Sequence, residues 1–194
     1  MSDQAAWHRT VADAFGDRVR GTTDWDAPSP VPGWRARDVV DHLTGWFPAF
    51  LAVGAGIELP RPTGTDPVAD WAAQSDAIQA VLDDPASADR MLRNPHIGEV
   101  PLPEAIDRFY TADVFMHTWD LARATGQDDR LDPDFCTRLL GGMEQMEEIL
   151  RSSGQYGPRV PVPVDADPQD RLIGFIGRDP QWTGLRSGTA DPGR

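Results

Sequence analysis

Asp113 and His117 lie four residues apart in an apolar run from Phe109 to Asp120, and His42 lies far upstream in a second apolar stretch. If both stretches are helical, Asp113 and His117 stack one turn apart on a single face. A carboxylate and an imidazole so placed can converge on one cation, with His42 supplying a second imidazole from a facing helix. Two imidazoles and a carboxylate suit zinc, nickel or iron(II), and these donors alone do not choose among them, although zinc is ranked first. Three protein ligands leave one coordination position open, the arrangement of catalytic rather than structural metal sites. A plainer reading uses the same residues: Asp113 and His117 pair along one helix, and His42 is satisfied by backbone in the core. Asp120 also has two readings. It can accept the second N–H of His117 and orient that ring, or it can pair with Arg123 three residues on.

The remaining reactive side chains carry weaker signals. His96, between Pro95 and Ile97, is expected in a solvated loop or rim, and His8, beside Trp7, at the surface. Cys136 is assigned to packing, since nothing local marks it as a nucleophile. There is no Gly-x-Ser-x-Gly elbow, no phosphate-binding glycine loop and no Cys-x-x-Cys pair. The seven tryptophans are read as core and loop anchors.

Amphipathic helices must position the candidate ligands. Trp7, Val11, Ala14, Phe15 and Arg18 share one face of a first helix spanning about residues 2 to 20. A proline-rich connector, Trp25 to Trp34, cannot be helical and is expected to be an ordered loop anchored by its two tryptophans. The second helix, about 36 to 53, carries Val39, His42, Leu43, Trp46 and Phe50 on one side, with distortion expected at Pro48. Asp66-Pro67 reads as a cap followed by proline at the first helical position, opening a third helix to Leu82. The fourth helix runs from about 104 to 125 and stops at Gly126. Asp132-Pro133 repeats the cap signature and starts a fifth, with Met143, Met146, Ile149 and Leu150 on its apolar face and Gly154 closing it. A short helix is expected over 168 to 176. No alternating strand pattern of useful length is evident, so the expected class is an all-α helical bundle with short extra helices and proline-rich loops.

Residues 1–182 are expected to form one domain, and 183–194 a disordered tail. The formal charge of −13 argues against a nucleic-acid partner, which needs clustered cations. All 18 basic residues are arginine and Asn94 is the lone asparagine, the bias of a GC-rich bacterial genome. One cysteine, no basic-then-apolar start and no membrane-length apolar stretch lead us to expect a cytoplasmic protein. Composition leaves the oligomeric state open.

With these residues assembled, the chain resembles the DinB-like bundle proteins, in the branch related to the N-terminal domain of mycothiol-dependent maleylpyruvate isomerase. The resemblance rests on Val31-Pro32-Gly33-Trp34 through His42-Leu43, on Asp113 through Gly126, and on Pro168-Gln169-Asp170-Arg171-Leu172. It implies an up-down-down-up four-helix bundle with metal ligands His42, Asp113 and His117. It also implies mycothiol or another low-molecular-weight thiol as co-substrate, attacking a small electrophile. The isomerase has a glutamate where this chain has Asp113, and a C-terminal domain that this sequence does not include. Two rival functions use the same residues: a metal-dependent hydrolase that activates water, and a non-enzymatic bundle that binds metal or a small molecule.

Overall fold

The computed structural model of the protein describes residues 3–152 and 154–184. Three long helices open the chain: α1 (Asp3–Gly21), α2 (Ala36–Ala55) and α3 (Pro67–Asp83). A fourth long helical run joins α4 (Leu102–Ala105), a π-helical stretch (Ile106–Thr111) and α5 (Ala112–Thr125). Local chemistry sets the boundaries. Asp38 reaches back to the Arg35 N–H at the start of α2, and Asp66 accepts from Val68 and Ala69 at the start of α3. Gly126, at φ 68°, ends α5 in a left-handed conformation that disfavours a side chain. α2 passes through Pro48 without ending.

Side-chain contacts fix the directions of the four. Gln79 donates to the Ala5 carbonyl, Arg9 pairs with Asp83 and Phe15 packs on Trp71, so α3 runs antiparallel to α1. His8 meets Thr111 and Gln127 donates to the Arg18 carbonyl, so the fourth run is parallel to α1. His42 meets Asp113 while Phe50 packs on Phe109, so α2 runs against it. These relations give an up-down-down-up bundle. Its core is built from the inward faces, including Phe15, Leu43, Phe47, Ile78, Tyr110 and Trp119.

The structure departs from the sequence-based expectations in three places. Residues 91–101 form a hairpin, β1 (Met91–Asn94) against β2 (Gly98–Pro101), with Leu92 opposite Val100. Each strand buries one residue, so no alternation is long enough to read. Asn94 instead carries the signal, since its side chain accepts the His96 N–H in the turn. The fifth helix divides into α6 (Pro133–Glu144) and α7 (Glu147–Ser152). α7 fully buries none of its side chains: Leu150 packs partly against the core, while Met146 and Ile149 are exposed. His8, expected at the surface, is fully buried between α1 and the π-helical stretch, with Nδ1 2.8 Å from the Thr111 hydroxyl.

The last helix, α8 (Pro168–Phe175), packs on α6 and buries Leu172, Ile173 and Phe175. From residue 185 the expected tail lies outside the described residues. Among the described residues, no helix is long and apolar enough to cross a membrane.

Candidate metal centre

α2 presents His42 and, one turn later, Trp46 to the face of α5 that carries Asp113 and His117. His42 Nε2 lies 3.1 Å from Asp113 Oδ2, and His117 Nε2 lies 3.5 Å from Asp113 Oδ1. Each imidazole therefore addresses a different carboxylate oxygen. One donor atom from each residue falls within 4.8 Å of the other two. Donors about 2.0–2.1 Å from a tetrahedral ion stand roughly 3.3 Å apart, a spacing close to that between each imidazole and its nearer Asp113 oxygen. His117 is nearly buried, whereas the His42 side chain is 31% exposed.

Further groups enclose these three. The Trp46 indole N–H donates to Asp113 Oδ2 at 3.1 Å. Trp34, from the proline-rich loop, stacks on the His117 ring at 5.8 Å between centroids and lies 5.1 Å from that of His42. The loop is ordered by backbone bonds from Ala36 to Ala27, Arg37 to Trp25 and Ser29 to Trp34. Burial alone would raise the Asp113 carboxyl, but the adjoining His117 and His42 and the Trp46 N–H hold it below the usual carboxylate range. Burial and the Asp113 charge push the Tyr156 phenol up to about 12, so it stays protonated at neutral pH.

Asp120 is fully buried and accepts from His117 Nδ1 at 2.9 Å, the first of its two expected roles. The alternative pairing with Arg123 is replaced by one with Arg178, whose Nε and Nη2 each lie 3.3 Å from an Asp120 oxygen. Burial raises the Asp120 carboxyl, and the bonds from His117 and Arg178 bring it below its ordinary value. A neutral His117 that gives its one proton to the Asp120 bond at Nδ1 would turn the Nε2 lone pair toward Asp113.

The other expectations divide. His96 is exposed at the hairpin turn, and Cys136 is buried, with burial pushing its thiol up to about 12. Trp34, Trp46 and Arg178 were missed as site residues. Trp46 could have been found, because it follows His42 by one turn on the same face. Arg178 carries no such signal, being 58 residues from its partner.

Residues 7–122 match the family described as mycothiol maleylpyruvate isomerase N-terminal domain. The chain is also 30% identical over 179 residues to uncharacterised proteins from two strains of Mycobacterium tuberculosis, CDC 1551 / Oshkosh and ATCC 25618 / H37Rv. Those alignments cover 90% of this chain and 93% of each relative. No solved structure matches. The family match takes in His42, Asp113, His117 and Asp120 and stops short of Arg178. From the bundle and the extent of that match, the chain belongs to the DinB-like family of the mycothiol maleylpyruvate isomerase N-terminal domain.

Proposed function

We propose that the protein binds a divalent cation, zinc foremost, through His42, Asp113 and His117. There it activates a low-molecular-weight thiol, mycothiol foremost, for transfer to a small electrophile or for a reversible addition that permits isomerisation. The convergence of two imidazoles on the two oxygens of one carboxylate carries this reading. Family membership supports the choice of thiol. A bound divalent cation supplies Lewis acidity, lowering the pKa of a thiol in the open position.

The protein's own groups do the rest. Trp34 covers His117 and limits water on that side, while Trp46 fixes Asp113 through its indole N–H. Asp120 holds the His117 proton on Nδ1 and keeps Nε2 free to bind. The exposed edge of His42 leaves an approach for the thiol and its acceptor.

Elemental analysis of the purified protein is expected to show one divalent ion per chain, and Asp113→Ala or His117→Ala to abolish it. If either variant holds metal as well as the parent, the ligand assignment is wrong. Thermal-shift measurements with mycothiol, with glutathione and with neither then identify the thiol. Mycothiol at a hundred times its Kd should stabilise the metal-loaded protein by about 2.7 kcal/mol. The metal-free protein should not respond. Thiol-independent turnover of an ester or amide would assign the site to a hydrolase instead.

A further inference from the structure

We infer that Arg178, delivered by the segment after α8, is a positioning residue for His117, acting through Asp120. The inference rests on the reading of His117 as a ligand. Asp120 has 0% side-chain exposure and Arg178 12%, so this ion pair is shielded from solvent. A buried carboxylate that loses its cation is strongly destabilised, and its orientation is no longer determined. Arg178 donates to both Asp120 oxygens, and its remaining Nη1 donates to the Ile176 carbonyl at 3.1 Å. The guanidinium is therefore fixed at one end by backbone and at the other by the carboxylate that holds His117. This matters because two carboxylates compete for the His117 proton, Asp120 at Nδ1 and Asp113 at Nε2. Only the Nδ1–H tautomer leaves Nε2 free to coordinate.

The backbone is built to place this arginine. Gly177, at φ 85°, reverses the chain after α8, and a Cβ there would lie 3.0 Å from the Pro158 carbonyl oxygen. The Arg178 N–H closes that turn on the Ile173 carbonyl, and Arg123 donates to the Pro180 carbonyl two residues on. The C-terminal segment thus completes a site whose ligands all lie within the matched family region. Metal binding and docking of this segment must then favour one another, since coupling between two sites is reciprocal.

Two readouts on purified full-length protein test this. In metal-free parent, the ¹⁵N shifts of His117 should report the Nδ1–H tautomer; Arg178→Met should give a mixture, with Arg178→Lys closer to the parent. By zinc titration against a chromophoric chelator, Arg178→Met should bind about 10- to 100-fold more weakly. If Arg178→Met does not fold, Asp120→Asn/Arg178→Met removes both charges and replaces it in the experiment. The amide carbonyl that this double variant carries in place of the carboxylate can still accept from Nδ1, so its zinc affinity should fall less than that of Asp120→Asn alone. Arg178→Met with parental tautomer and parental zinc affinity overturns the inference, as does a double variant no better than Asp120→Asn. A parent that binds no zinc, yet shows the tautomer change on Arg178→Met, removes the metal reading and leaves the positioning role standing.

Discussion

At the scale of single residues, Asp113 is the pivot of the centre, because three ring nitrogens, from His42, Trp46 and His117, surround its two oxygens. Trp46 is the contact that can be altered without touching a ligand. Trp46→Phe keeps an aromatic ring against Phe47 and Tyr110 while deleting the N–H that Asp113 Oδ2 accepts. A hydrogen bond to a charged group contributes about 1.5–3 kcal/mol, so zinc affinity should drop by roughly tenfold or more while the fold is kept. Chelator competition measures the first and circular dichroism the second; an unchanged affinity would mean that the indole does not set the carboxylate's position. The ligands were legible in the sequence because helical spacing is local: Asp113, His117 and Asp120 share one face, and His42 and Trp46 another. Partners that depend on folding were not legible. Nothing in the sequence distinguishes Arg178 from the other arginines, and nothing places Trp34 over His117 until the proline-rich loop closes.

At the scale of elements, the site depends on how firmly α8 is held. Asp167 caps this eight-residue helix by accepting the Asp170 N–H at 2.9 Å. Phe175, its last residue, has the guanidinium groups of Arg151 and Arg159 over its ring, 4.8 and 4.4 Å from the ring centre. Asp167→Ala should remove about 1 kcal/mol, as loss of an N-cap does elsewhere. Amides of residues 172–178 should then exchange about fivefold faster with solvent if they open locally. Zinc binding should weaken along with them, whereas Asp66→Ala at the cap of α3 should lower stability and leave zinc binding alone. Hydrogen exchange read by mass spectrometry, with zinc titrations on both variants, separates the two cases. The caps at Asp66 and Asp132 were readable because each precedes a proline, and both accept backbone N–H groups; Asp167, before Pro168, follows the same pattern. The π-helical stretch and the break between α6 and α7 were not readable, and the hairpin was signalled only by Asn94 at its turn. None of the three shows a repeating pattern in the sequence.

At the scale of the whole molecule, the buried His8 ties stability to pH in a window of its own. Burial first, and the neighbouring Arg9 second, lower its pKa from 6.5 to about 4. Above pH 6.5 the ring is neutral in both folded and unfolded chains, and the shift has no effect. Between pH 6.5 and 4 the unfolded chain takes up a proton that the folded one refuses, so stability falls as the pH falls. At 1.36 kcal/mol per pKa unit, the loss approaches about 3 kcal/mol near pH 4. The depressed carboxyls of Asp113 and Asp120 act in the same direction but at lower pH, because their unfolded value is 3.8. A comparison with His8→Phe isolates the His8 contribution. That variant should be less stable at pH 8, because Thr111 loses its 2.8 Å partner. It should also lose less stability than the parent between pH 6.5 and 4.5, so the two denaturation free energies converge on acidification. Parallel profiles over that range would show that His8 takes up its proton equally well in the folded bundle, and that the core around it admits the charge.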